Sequence, residues 1–227
     1  MEFEFKLQVP FGSVAAVESE LQAEGVERVA LQARYFDTAD GALARHGMAL
    51  RLRRECHGMA LRLRRENDRL VQTLKAPGRR ALEREEHEVE LGPADTTQAL
   101  APDPSRHAGT PAGERLQALL ADAGNASGPA VLEEIHATDI VRLRREVEAA
   151  GSRVEIALDR GTVSAGTGEQ RRVDAVCELE LELLHGPAAP LADLAAAWCR
   201  RHGLWISTLS KSARGARLRQ ALHGHAG

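Results

Sequence analysis

The chain has 227 residues with 30 basic and 33 acidic side chains, a formal charge of −3, which is enough for one large domain with a closed core. Balanced charge argues against a general nucleic-acid surface, and aromatics at 3% leave few platforms for base stacking. No basic leader with a following apolar run opens the sequence and no apolar run approaches the roughly 18 residues of a membrane span, so neither secretion nor membrane insertion is expected and the expected location is cytoplasmic.

In an extended strand successive side chains point to opposite faces. Residues 1–8 would therefore set Glu2, Glu4 and Lys6 on one face and Phe3, Phe5 and Leu7 on the other. Pro10 to Ser13 reads as a turn ending in a helix cap, followed by Val14, Val17 and Leu21 at helical spacing and Gly25 as the stop. A second strand is expected over residues 27–37, after which Thr38 and Asp40 can cap a short helical turn through Arg45. Tyr35 and Asp37 suit structural and functional roles equally.

A tandem duplication comes next: His46 to Glu55 is repeated without change at His57 to Glu66, with Cys56 between. The period is odd, so on one uninterrupted strand Arg51 and Arg53 would face away from Arg62 and Arg64, and a bulge or loop must intervene. The second copy is expected to line the sheet, because Glu66 to Arg69 turns directly into the strand from Leu70 to Lys75. In the reverse threading the first copy lines it; a flexible insertion costs little loop entropy either way.

A strand over residues 82–91 puts Arg84, Glu86, Glu88 and Glu90 on one face and His87 on the outward one. Residues 92–113 read as a loop and residues 114–122 as a helix presenting Leu116, Leu119 and Leu120. Three strands follow at about 131–147, 152–163 and 172–185, with Glu155 and Asp159 on one face around the small Ala157. A helix over residues 191–202 displays Trp198, and Trp198 and Trp205 are expected as core anchors. A last helix, residues 209–222, opens with Lys211 and Arg214, and its N-terminal amides favour a phosphate. Cys56, Cys177 and Cys199 are far apart and lack metal-type spacing.

Charges of both signs at period two on several strands suggest a barrel turned inside out. Its apolar faces would meet covering helices, while carboxylates and guanidinium groups converge on a tunnel that takes a polyanion with metal ions. Only three of the 30 basic residues are lysines, Lys6, Lys75 and Lys211. A compact ammonium and a planar guanidinium hold phosphate differently, so lysine at these three places suggests a geometric requirement.

The opening Glu2-Phe-Glu-Phe-Lys6 resembles the CYTH domain, or triphosphate tunnel metalloenzymes. The resemblance continues in order through Tyr35-Phe-Asp-Thr38, Ala60-Leu-Arg-Leu-Arg64, Gln72-Thr-Leu-Lys75, Val154-Glu-Ile-Ala-Leu-Asp159, Cys177-Glu-Leu-Glu-Leu-Glu182 and Ser210-Lys-Ser-Ala-Arg-Gly215. It implies an α+β fold: a closed antiparallel eight-stranded β-barrel with a charged interior and covering helices, in a single domain over residues 1–222 with a short tail at 223–227. It further implies Mg²⁺ or Mn²⁺ on Glu2, Glu4, Glu178, Glu180 and Glu182. Phosphate oxygens would be held by Lys6, Arg62, Arg64, Lys75, Arg142, Arg144, Lys211 and Arg214, with Arg51 and Arg53 standing in if the duplication threads the other way. Glu2, Glu4, Lys6, Glu88, Glu90 and Asp159 would take part in the chemistry. The C-terminal motifs are most similar to the inorganic triphosphatase branch, which implies hydrolysis of tripolyphosphate to pyrophosphate and phosphate. Activity of the thiamine triphosphatase or class IV adenylate cyclase kind, or non-catalytic polyphosphate binding, are the alternatives. The expected partner is a small polyanion rather than nucleic acid or membrane, and the expected state is a monomer or a homodimer.

Overall fold

The computed structural model describes residues 3–22, 25–58, 66–78, 84–93, 101–124, 128 and 130–223. The alternating sequences form strands β1 (Glu4–Gln8), β2 (Glu27–Asp37), β3 (Ala49–Gly58), β4 (Glu66–Pro77), β5 (Arg84–Pro93), β6 (Glu133–Ala149), β7 (Ser152–Ala165), β8 (Arg172–His185) and the short β9 (Trp205–Ile206). Among the described residues they make one antiparallel sheet in the order β5-β4-β3-β2-β6-β7-β8-β1-β9. It has nine strands where eight are expected, and hydrogen bonds do not join β5 to β9 to close it. Curling takes the place of closure: the Lys75 ammonium on β4 acts electrostatically on the Glu182 carboxylate of β8, five strands away.

The convex face carries the apolar half of each strand. Helices α1 (Val14–Leu21) and α4 (Ala189–His202) cover one side of it. Val14, Val17, Leu21, Leu191, Ala195 and Trp198 pack there on Leu7, Val154, Ile156, Leu158, Leu179 and Leu181. Each fully buried aliphatic side chain contributes about 1.5–3 kcal/mol, and charged partners on the opposite face ride on that stable backing. Helices α2 (Ala42–Arg45) and α3 (Pro111–Asp122) cover the other side, with Leu43, Leu116 and Leu120 on Leu50 and Leu74. Thr110 accepts a hydrogen bond from Gly113 N at 3.0 Å and Pro111 follows it, so α3 starts three residues before its expected position.

Asp37 serves the fold: its carboxylate accepts from the Leu43 and Ala44 amides at 2.8 and 3.0 Å and holds the start of α2. Helix α5 (Lys211–His223) differs from the others by lying on the concave face. Its Leu218 packs, with Leu31, against the cluster of Ile140, Val163 and Val176, all on strand positions of channel-facing parity. No helix among the described residues is long and apolar enough to cross a membrane.

The duplication resolves opposite to the expected threading, since the first copy forms β3. Arg51 pairs with Tyr35 and Thr73, and Arg53 with Ala33 and Val71. The reason lies in the connection from α2: His46 Nδ1 bonds Ala42 O at 2.8 Å, and Gly47, at φ 68, turns the chain straight into β3. Glu55 pairs with Arg69 before the register shifts to His57 opposite Glu66. Of the second copy, residues 59–65 lie outside the described residues, and Arg62 and Arg64 with them. Glu2 does too. Trp198 is core at 2% exposure, but Trp205, on a two-residue edge strand, is 54% exposed and anchors nothing.

Candidate active site in the concave channel

Antiparallel register places the charged faces in rows, because directly paired residues project to the same side. One row runs Glu4, Glu182, Glu155 across β1, β8 and β7. The next contains Lys6, Glu180 and Ala157; the third contains Gln8, Glu178, Asp159 and Arg142. The small Ala157 side chain leaves room between Glu155 and Asp159.

The third row and its neighbours form a buried ion network. Arg142 grips Asp159 with both arms of its guanidinium, Nε–Oδ1 at 2.7 Å and Nη2–Oδ2 at 2.8 Å, and also donates to Glu180. From the tip of α5, Lys211 Nζ reaches Asp159 at 2.7 Å, Glu180 at 3.0 Å and Glu178. Lys6 stands 3.3 Å from Glu180 and 3.7 Å from Glu4. Burial opposes the Glu180 charge, yet Lys211, Arg142 and Lys6 outweigh it and hold its carboxyl well below the usual range. The same balance raises Lys211: burial works against the ammonium, and Glu180, Asp159 and Glu178 overcome it.

Two carboxylates are not neutralised in this way. Glu178 is fully buried, its Oε2 lacks a hydrogen-bond partner among the described residues, and burial pushes its pKa up despite Lys211. Glu182 is raised by burial, then by Glu155 and Glu4 beside it, and among the described residues it makes no ion pair. Oxygen donors of Asp159, Glu178 and Glu180 lie within 4.8 Å of one another. Clustered carboxylates with an orphan oxygen are the donor set of a hard divalent cation, so these residues fit the implied metal.

The facing wall, β3 to β5, carries Arg51, Arg53 and Lys75, each beside a glutamate. Arg53 lies 2.7 Å from Glu55 and 3.2 Å from Glu88, and Arg51 lies 3.6 Å from Glu86. Lys75 pairs with Glu86 at 2.6 Å. Burial, then the neighbouring Arg51, lowers the pKa of Arg53, and Arg142 adds to the effect. The Nε atoms of Arg51 and Arg53 are buried without acceptors. Guanidinium groups crowded this way have unused donors for an anion.

Several expected residues are otherwise engaged. Glu88 accepts from Thr73 at 3.0 Å and from Arg53, on the facing wall rather than among the carboxylates. Glu90 lies at the rim 3.6 Å from Arg69. Arg144 bridges Glu27 at 2.9 Å and Glu155 at 3.2 Å. Arg214 bonds Asp174 and Gln8, both at 3.0 Å, tying α5 to β8 and β1. His87 faces outward as expected and bonds His107 at 2.8 Å. Glu155 and Glu55, absent from the expected metal and phosphate sets, also belong to the channel wall; their strand parity signals it.

A family model described as the CYTH domain matches residues 1–216. Among solved structures, a putative adenylyl cyclase from Hippeastrum, whose description states a dominant triphosphatase activity, is similar at a TM-score of 0.59 and 21% identity over 96% of each chain. A protein of Pyrococcus horikoshii OT3 is similar at 0.53 and 18%, over 98% of this chain and 100% of that one. A putative adenylate cyclase from Bacillus halodurans is similar at 0.52 and 18%, over 92% and 94%. At these identities the structural likenesses speak for the fold.

Proposed function

The chain belongs to the CYTH family, and from that premise we propose that it hydrolyses inorganic triphosphate to pyrophosphate and phosphate with Mg²⁺ or Mn²⁺. One observation carries the reading: among the described residues the carboxylate of Glu182 makes no ion pair and is disfavoured by burial and by Glu155 and Glu4, while the Nε atoms of Arg51 and Arg53 lack acceptors on the facing wall. A polyphosphate with its metal supplies both missing partners at once.

In this reading Glu2, Glu4, Glu178, Glu180 and Glu182 hold the metal, which when bound offsets phosphate charge and lowers the pKa of water. Arg51, Arg53, Lys75, Arg142, Lys6 and Lys211 bind the phosphate oxygens, supplying charge-assisted hydrogen bonds from several directions. Arg144 and Arg214 act from the edge, through the ion pairs that fix the strands and α5. Asp159 serves by orienting Arg142 with two hydrogen bonds. Glu182, whose carboxylate is disfavoured by burial and by Glu155 and Glu4, carries an electrostatic burden that a bound cation would relieve. Glu88 and Glu90 order the facing wall and its rim.

The test is phosphate release from tripolyphosphate, ATP and thiamine triphosphate with Mg²⁺, Mn²⁺ or EDTA, for the unaltered protein and for Glu2→Ala/Glu4→Ala. Metal-dependent release from tripolyphosphate, lost in the double variant, is expected. Tight tripolyphosphate binding without turnover on any substrate would overturn the enzyme reading in favour of a binding module. A second reading, action on an organic triphosphate, draws on Trp205, which is 54% exposed and stands opposite channel-facing Gln8 in the strand register. Faster turnover of ATP or thiamine triphosphate than of tripolyphosphate would favour it.

A further inference from the structure

Channel-facing Tyr35 has no part in the proposed function. On β2 it is paired with Arg51 of β3 on one side and His136 of β6 on the other, so the three side chains project together. Burial would raise the pKa of the Tyr35 hydroxyl, but the Arg51 guanidinium directly opposite it outweighs burial and lowers it. Its ring stacks on His136 with centroids 4.3 Å apart and planes at 18°. Tyr35 is 5% exposed and His136 2%, so water does not compete for either ring.

The far side of His136 is bounded by α5. A Cβ built at Gly215 would fall 2.2 Å from the imidazole carbons, so the helix backbone approaches at a distance only glycine allows. Among the described residues both ring nitrogens of His136, which are buried, have no hydrogen-bond partner. Its place is therefore decided by packing between Tyr35 and α5, not by hydrogen bonds of its own. Arg51, in turn, has an acceptor-free Nε and long contacts to Glu86 at 3.6 Å and Glu88 at 3.9 Å. Without a partner behind it a long guanidinium side chain samples many rotamers, and ordering it on binding is costly.

We infer that Tyr35 is a positioning residue that preorders Arg51 for the phosphate chain, with His136 and Gly215 bracing it from behind. The inference rests on the reading of the channel as a triphosphate site. It names a continuous stack, α5 backbone to imidazole to phenol to guanidinium, through which the docking of α5 is felt at a phosphate-binding arginine. The anionic form of Tyr35 is not needed: a neutral hydroxyl can accept from Arg51 while the ring supplies the wall.

The test is a double-mutant cycle on tripolyphosphate affinity, by calorimetry in EDTA, using the unaltered protein, Tyr35→Phe, Arg51→Ala and the pair. Tyr35→Phe keeps the stack and loses only the hydroxyl. It is expected to weaken binding about fivefold in the Arg51 background and less than twofold in the Arg51→Ala background. Equal weakening in both backgrounds, or none in the first, would overturn the inference. Gly215→Ala, which must displace His136, is expected to weaken binding with Arg51 present and to have little effect in its absence; equal effects in both backgrounds would count against the brace. If the unaltered protein neither binds tripolyphosphate in EDTA nor releases phosphate from it with Mg²⁺ or Mn²⁺, the functional reading itself fails, an outcome distinct from additivity in the cycle.

Discussion

At the scale of single residues, the channel holds charges whose cost is visible before any ligand arrives. Glu182→Gln removes a like charge from between Glu4 and Glu155. The metal-free protein should gain roughly 0.2–1 kcal/mol, while metal-dependent turnover falls about a hundredfold or more, the loss of several kcal/mol of transition-state binding. Thermal melting in EDTA beside a phosphate-release assay checks both signs. Asp159→Asn should act oppositely on stability, because Arg142 and Lys211 lose a buried counterion. Removal of one partner from a buried ion network costs about 3–5 kcal/mol, readable as a lowered urea midpoint. The raised pKa values of Glu178 and Glu182 also fix a pH dependence. A carboxyl raised in the folded state stabilises below its unfolded pKa, and that contribution disappears as pH climbs through the folded value. Without metal the two therefore weaken the protein on the neutral side. Mg²⁺ or Mn²⁺ competes with those protons, so its increment in Tm should be larger at pH 8 than at pH 5.

At the scale of elements, the identical copies make β3 an internal control. The segment from Cys56 to Glu66 can be removed so that Glu55 runs into Asn67, Asp68 and Arg69. The Glu55–Arg69 pair is retained, and two residues suffice for a tight hairpin turn. The shortened protein should keep its Tm within a few degrees and its turnover within about twofold, since loop closure changes slowly with length. Conversely Arg51→Ala/Arg53→Ala should lower kcat/KM about a hundredfold or more, and Arg62→Ala/Arg64→Ala by less than about twofold. Steady-state kinetics on the three variants decides whether the first copy serves the channel. Strand periodicity made β1, β2 and β6 to β8 legible, because alternation of charge and aliphatic side chains along Glu4–Gln8 or Arg172–His185 states which face is which. It could not decide between two identical strings. That choice falls to the turn leaving α2 at His46 and Gly47, a contact between elements and not a property of either copy. Likewise Arg214 reads as a free cation at a helix start until β8 brings Asp174 alongside. Trp205 reads as core until its strand proves to be a two-residue edge.

At the scale of the whole molecule, the sheet divides its roles by face. Apolar side chains under α1 and α4, and under α2 and α3, give the convex half two cores, while the concave half collects ions. Leu158, fully buried, alternates with Ala157 and Asp159 on β7. Leu158→Ala should cost about 2–5 kcal/mol of stability through its cavity yet leave KM for tripolyphosphate near its original value in the folded fraction. Packing and chemistry are thus mutated separately on adjacent residues of one strand. Helix α5 is the exception that joins the faces, since it lays Leu218 on the concave wall and sends Lys211 into the carboxylates. Lys211 and Leu218 therefore answer to one docking event: a substitution that loosens the helix from its apolar seat also withdraws an ammonium from three carboxylates, so packing at one end of α5 and charge balance at the other cannot drift apart.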